Sequence, residues 1–449
     1  LGDSGDTFTI PAGVTITNNG TQTGFGRTGA VDWQTGSIKT STFTAASGEG
    51  YFANTNGSAF TMNLPAGSAG AIVAVADYTR TFGNNALTIS PNGSEKIGGI
   101  ASDLSLSTSG QVLTLVYVDS TEGWINVQNA EDTETGVTPA FIAATGGTVT
   151  TVCTNFKVHT FTGPGTFCVS CAGNASGSNT VSYVVAAGGG GGGIGYNGGY
   201  CGAGGGAGGY RESKSPFCSF TASPLASTCG LTVTGAIPIT VGAGGAGRTG
   251  CSGCGNGPNV AKGDNGSNSI FSSITSAGGG GGGGGGRSAP SNAGDGGSGG
   301  GGGAGAPYPS PAAGAGGTGN TPPVSPSQGT DGGNGPGAAN NASGGGGGAT
   351  VAGSPNPGSN VGGAGGAGAT STINATPTAR AGGGGGGGHC TQGAGGTGGG
   401  GTGGRNTPSV NGTAGTVNTG GGGGGGQKYS TSVGAAGGSG IVIIRYKFQ

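Results

Sequence analysis

The stretch "ITSAGGGGGGGGGRSAP" (residues 274–290) holds nine consecutive glycines, 278–286. Ordering one residue costs about 1–2 kcal/mol of backbone entropy, and glycine loses the most. A flexible Gly/Ser linker escapes that cost by staying a coil, but this run contains no serine. It is also preceded by the β-rich "SIFSSITS" (269–276). A run so pure, attached to a strand, needs a structure that uses the missing side chain.

Polyproline II geometry provides one. It is a left-handed helix with three residues per turn and about 3.1 Å rise, and it makes no hydrogen bonds within itself. Its N–H and C=O groups point sideways, so neighbouring rods of glycine can satisfy them. A rod inside such a bundle needs glycine throughout. A peripheral rod needs it only where it faces a neighbour, which fits mixed stretches such as "VGGAGGAGAT" (361–370). Runs of four or more glycines recur at 188–193, 278–286, 299–303, 344–348, 382–388, 398–401 and 420–426. A nine-residue rod spans about 28 Å. The expectation is a side-chain-free core of rods, with the segments between them as loops at the rod ends.

The rest of the composition agrees. The 449 residues include 121 glycines and 21 prolines; 31% are hydrophobic and 7% charged. An apolar core serves only part of such a chain. Net charge is −1, unevenly spread. Residues 1–150 carry twelve acids and four bases. Residues 151–449 carry eleven bases and only four acids: Glu212, Asp264, Asp295 and Asp331. Those bases form no dense patch in sequence, which argues against nucleic-acid binding. No apolar run reaches transmembrane length.

Residues 1–130 read as all-β. Short β-rich runs such as "TFTI" (7–10), "VTIT" (14–17), "AIVAVAD" (71–77) and "VLTLVYV" (112–118) are punctuated by Gly, Asn, Pro and Ser. The organisation expected is a β-rich stem or attachment module at 1–50, a small β-sandwich or barrel at 51–130, a linker at 131–144, and a glycine-rich domain at 145–449. The fold class is therefore all-β N-terminal modules followed by a glycine-rich domain of a few β-strands and packed polyglycine II helices, with essentially no α-helix.

The glycine-rich part resembles the C-terminal domain of bacteriophage tail-fibre and adhesin proteins. The residues that carry the likeness are "SYVVAAGGGGGG" (182–193), "ITVGAGGAG" (239–247), "ITSAGGGGGGGGG" (274–286) and the closing "GGSGIVIIRYKF" (437–448). "FTMNLPAGSAGAIVAVADY" (60–78) and "LTISPNGSEKIGG" (87–99) are similar to β modules of marine-phage fibres. The resemblance implies a virion-surface appendage, trimeric in its shaft, joined to other tail or fibre proteins on its N-terminal side. Its loops would meet a host glycan or outer-membrane protein. The nine cysteines, all between Cys153 and Cys390, depart from that pattern.

Catalytic motifs are not apparent. The glycine runs lack the GxxxxGK[ST] of a phosphate loop. His159 sits in the strand-like "KVHTF" and reads as structural. His389 and Cys390 are adjacent, which does not by itself give nucleophile–base geometry. "CVSC" (Cys168, Cys171) and "CSGC" (Cys251, Cys254) lie far apart, and local disulfides or small buried thiols explain them better than zinc. The expectation is a non-enzyme without cofactor or metal. Receptor contact is assigned to loop residues of the types that dominate interfaces: Tyr196, Tyr200, Tyr210, Arg211, Arg287, Tyr308, Arg380, Arg405 and Tyr429. The competing role for these tyrosines is to shield the flanks of a glycine core. The competing role for the chain is a purely structural fibre, head-decoration or extracellular fibril protein.

Overall fold

A computed structural model describes residues 11, 14, 30–130, 137–195, 199–249, 262–286, 291–305, 313–336, 341–358, 360–428 and 433–449. It divides the chain into two compact units, Leu1–Gly136 and Val137–Gln449. Among the described residues there is no α-helix. The strand expected at 7–10 and all but Val14 of the one expected at 14–17 fall outside them.

The first unit is two sheets around one apolar core. One sheet has the order β1 (Asp32–Trp33), β3 (Glu49–Ala53), β5 (Ile72–Asp77), β8 (Val112–Asp119), β9 (Gly123–Ala130). The other has the order β2 (Phe43–Thr44), β4 (Phe60–Asn63), β6 (Leu87–Ser90), β7 (Leu104–Leu106). The chain alternates between the sheets over its first six strands, so successive neighbours are parallel. Only β7–β9 pair antiparallel. Strand β3 runs across the expected 50/51 boundary, and β1 and β2 extend the sheets formed by residues 51–130. Tyr51, Met62, Val75, Ile89, Leu115 and Trp124 fill the core. The Trp124 indole N–H reaches Glu95 Oε2 at 3.1 Å, satisfying the one polar atom of a fully buried ring.

The second unit is a β frame with a glycine bundle grown from its edge. A large sheet has the order β11 (Thr148–Val152), β12 (Phe156–Phe161), β23 (Ile441–Lys447), β14 (Thr180–Ala186), β15 (Tyr210–Ser213), β16 (Ala226–Ser227), and β17 (Leu231–Thr232) also pairs with β14. A second sheet has the order β10 (Ile142–Thr145), β13 (Gly165–Ala172), β18 (Gly235–Thr240), β19 (Ser269–Phe271), β20 (Ile274–Ser276). The hairpin β21 (Ala369–Ser371)/β22 (Thr378–Arg380) stands apart. Strands β14 and β23 are buried on both faces, which is why each reads as a nearly unbroken apolar run. One face of each, Val181, Tyr183, Val185, Val442, Ile444 and Tyr446, packs with Phe167 and Phe271. The other, Val184, Ala186, Ile441 and Ile443, packs with Tyr210 and the small Ala207, Ala349, Ala369 and Ala381.

The glycine runs are rods of polyglycine II. Rod 201–209 shows the rule. Residues 202, 205 and 208 donate to carbonyls of 426, 423 and 420; residues 203, 206 and 209 to 283, 280 and 277; residues 201, 204 and 207 to 341, 344 and 347. Its carbonyls accept in the same rhythm: 209, 206 and 203 from 187, 190 and 193; 207, 204 and 201 from 298, 301 and 304; 205 and 202 from 384 and 387. Three rods thus receive its N–H groups and three others feed its C=O groups, each every third residue. That is the three-fold repeat of polyproline II geometry carried into a lattice. Among the described glycines, left-handed φ occurs at connections such as Gly199 and at the first residues of runs, as at Gly398, Gly399 and Gly420.

The missing side chains are used. A Cβ placed on Gly205 would collide with the carbonyl oxygen of Gly190, one on Gly190 with Gly280 O, and one on Gly384 with Gly423 O. The hydrogen standing where Cβ would be therefore points at an acceptor. Such Cα–H···O contacts are worth perhaps 0.5–1 kcal/mol each. Added to about 0.5–1.5 kcal/mol for each N–H···O bond, they bring the pairing energy to the level of the ordering cost.

Candidate functional site

The rods alternate in direction, so their connections fall at two ends. The near end is the sheet edge: rods leave β14, β18 and β20 directly and return into β15, β19 and β23. The far end is about 25–28 Å away at 3.1 Å per residue. There Gly388 bridges Arg405 in parallel, Arg405 bridges Val410, Gly286 bridges Gly305, and Val361 bridges Thr391.

A compact group of side chains closes this far end. Asn360 O accepts from the amides of His389, Cys390 and Thr391 at 3.0, 3.1 and 3.3 Å. Arg405 and Val410 exchange both backbone bonds at 2.8 Å, and Asn406 N donates to His389 O at 3.2 Å. Asn406 Oδ1 accepts from Lys428 N at 3.0 Å. Lys428 Nζ lies 3.3 Å from His389 Nε2. The ammonium can only donate, so that imidazole nitrogen is the acceptor and the ring proton sits on Nδ1. Burial, then the Lys428 charge, holds the His389 pKa below the ordinary histidine value. His389 Nδ1 is 4.0 Å from Cys390 Sγ. Ser409 Oγ donates to Gln427 Oε1 at 2.9 Å, and Gln427 Nε2 to Asn411 Oδ1 at 3.3 Å. Arg405 Nε and Asn406 Nδ2 are enclosed without an acceptor.

The structure sorts the residues expected to make contacts. Tyr200 and Arg405 are partly exposed at the far end. Tyr196, Arg287, Tyr308 and Tyr429 lie outside the described residues. Tyr210 and Arg380 require correction: they are 1% and 4% exposed and sit at the sheet end. Tyr210 OH donates to Glu212 Oε2 at 2.9 Å, and the Tyr210 ring packs on the alanines where rods meet the sheet. This is the shielding role. The buried carboxylate of Glu212 also accepts from Ser223 N at 3.0 Å and Ser371 Oγ at 2.6 Å, pinning a loop and the β21/β22 hairpin to the frame. Burial lowers the Arg380 pKa, while Tyr210 and Glu212 oppose that shift. Arg211 is half-buried in β15, also at the sheet end.

A family model described as a glycine-rich domain matches residues 161–447, more than half of the chain. The chain belongs to the glycine-rich domain family. No curated protein matches it. The match covers nearly all of the second unit, from the end of β12 to the end of β23, so the glycine-rich domain includes the frame strands as well as the rods.

Within the glycine-rich domain, His389, Asn406 and Lys428 are far-end residues that composition alone does not single out. A positional signal does. Each follows closely on a glycine stretch that leaves the sheet end: 382–388, 403–404 and 420–426. The seven described cysteines are free thiols, with Cys201 and Cys218 buried and Cys153, Cys168, Cys171, Cys229 and Cys390 exposed. Among the described residues, no group of three His, Cys, Asp or Glu side chains is placed to hold a metal.

Proposed function

We propose that this chain is a bacteriophage virion appendage, a tail-fibre or receptor-binding adhesin, whose glycine-rich domain presents its far-end loops to a host surface glycan or outer-membrane protein. It acts as a non-enzymatic homotrimer on the virion surface, without cofactor or nucleic-acid partner. Other tail or fibre proteins join it on the N-terminal side. The observation that carries the reading is the segregation of the bundle's ends. Apolar side chains gather at the sheet end, while the far end carries polar connections on a lattice with almost no side chains of its own. Such a lattice fixes the rod ends from which connections leave while leaving the connecting sequences free to vary, which suits recognition. Several copies would raise weak single-site contacts by multivalency.

Removal of residues 145–449 from otherwise intact particles tests this. Loss of adsorption is expected. Normal adsorption would overturn the adhesin role, and normal adsorption with fragile or misassembled particles would indicate a structural fibre.

A further inference from the structure

Arg445, near the end of β23, is a buried cation without an acid beside it. It is 1% exposed. Its neighbours across the sheet are Val158 on β12 and Ser182 on β14, neither of which carries charge. The guanidinium carbon lies 4.5 Å from the Phe156 ring centroid and 5.4 Å from that of Phe220. Nη1 donates to Ile373 O at 3.1 Å and Nη2 to Ser219 O at 3.0 Å. Nε is enclosed without an acceptor. Arginine has five N–H donors, so two carbonyls leave this one short of acceptors as well as of counter-charge. Among the described residues no carboxylate pairs with it. Glu212, the acid of the same sheet, is taken up by Tyr210, Ser223 and Ser371. A charge in a protein interior is costly unless an opposite charge or enough hydrogen bonds meet it.

Arg445 also lines a cleft of about 510 Å³ to which three other segments contribute. The turn between β11 and β12 supplies the exposed Cys153, the chain after β15 supplies Ser219, Phe220 and Thr221, and the turn between β21 and β22 supplies Thr372. Two of these segments are bonded to each other: Thr372 N donates to Thr221 O at 2.9 Å, and Thr221 N to Thr372 Oγ1 at 2.8 Å. The cleft is thus held by cross-linked walls and has the size of a small-molecule site. Its lining combines hydroxyl side chains, an aromatic ring and a buried cation. The charge nearby is positive as well: Lys214 Nζ lies 5.5 Å from the same Phe220 ring.

We propose that this cleft binds a small carboxylate ligand with an apolar body. The carboxylate accepts from guanidinium N–H groups of Arg445 that Ile373 and Ser219 leave free, in the short, strong charge-assisted bonds that arginine forms with such a group. The apolar body lies against Phe220. A neutral ligand would leave the cation as uncompensated as before, and a free phosphate would leave the aromatic wall unused. The site lies in the frame of the glycine-rich domain and does not depend on the adhesin reading.

The test titrates the full-length protein with benzoate, its neutral amide benzamide and inorganic phosphate, followed by ligand-observed NMR. Benzoate should bind with a Kd of about 1 mM or below, and benzamide and phosphate at least roughly tenfold more weakly. Arg445→Met, which keeps the packing volume without the charge, should lose the preference for benzoate over benzamide. A second arm leaves Arg445 untouched. Alkylating the native protein with N-ethylmaleimide places an adduct on Cys153 at the cleft and should abolish benzoate binding, whereas Cys153→Ser should bind benzoate before and after the same treatment. This arm decides the matter if Arg445→Met fails to fold. No benzoate binding, equal binding of benzamide, or preference for phosphate would overturn the ligand class. Benzoate binding that survives alkylation of Cys153 would overturn the location.

Discussion

His159 and Tyr446 share a hydrogen bond of 3.1 Å, and their rings stack 5.5 Å apart, although 287 residues separate them in the chain. The other imidazole nitrogen lies 2.7 Å from Gly146 O. The pair fastens β12 to β23 inside the core of the frame.

Burial first, and the nearby Lys157 charge, depress the His159 pKa below its ordinary value. The unfolded chain therefore takes up a proton at higher pH than the native one. The contribution of neutral His159 is complete above about pH 6.5 and declines as pH falls from there toward the depressed native pKa. Thermal unfolding followed between pH 7.5 and 5 should show Tm falling across that window. His159→Gln should flatten the slope, and an unchanged slope would refute the assignment.

The lattice makes rod glycines irreplaceable even by alanine. Gly205→Ala drives a methyl group into Gly190 O and should cost about 1–3 kcal/mol. Gly163 has open space around it, and Gly163→Ala should stay within about 0.5 kcal/mol. Denaturant unfolding of both variants checks the contrast; equal effects would mean that the rods are not packed as described.

Amides of 202–208 each donate to a neighbouring rod. Their exchange with solvent should be slower than in a free peptide by roughly a hundredfold or more, equivalent to about 2.7 kcal/mol of local opening. Exchange at peptide rates would dismantle the bundle.

Glu212 holds three donors from separate segments. Glu212→Ala leaves Tyr210 OH and Ser223 N–H buried without an acceptor and should destabilise the glycine-rich domain by roughly 2–4 kcal/mol. Faster exchange at Ser223 N–H is the local signature to measure.

Thiol reactivity should follow burial. Burial pushes Cys201 up to about 12 and raises Cys218 as well, so both stay as unreactive thiols at neutral pH. In a maleimide time course with mass readout, Cys153, Cys168, Cys171, Cys229 and Cys390 should be labelled in the native protein. Cys201 and Cys218 should be labelled only after unfolding.

Much of this architecture is legible in the sequence because glycine purity reports a physical constraint. Side chains are excluded where a Cβ would meet a neighbouring rod's carbonyl, as at most positions of 278–286 and 382–388, whereas the enclosed rod 201–209 still admits Ala203 and Ala207. The apolar runs at 180–186 and 441–447 likewise announce strands covered on both faces. The placement of Tyr210 and Arg380 is not legible, because a tyrosine beside a glycine run has the same local sequence at either end of the bundle. Which end it occupies depends on rod direction, and that is set by pairing between segments far apart in the chain. The far-end group is hidden for the same reason: His389, Arg405 and Lys428 converge only once three separate rods run side by side. In the first unit, short strands were readable, but their parallel coiling between two sheets depends on long-range pairing that alternation does not encode.

The insertion of β23 between β12 and β14 has a consequence for biosynthesis. Both flanking strands leave the ribosome long before their shared partner, which is encoded after every rod. Until that partner emerges, the nascent domain has an open seam at its centre, and the growing rods are anchored to an incomplete frame. A message cut short just before codon 441 would encode all of the glycine lattice and still yield a chain that cannot close.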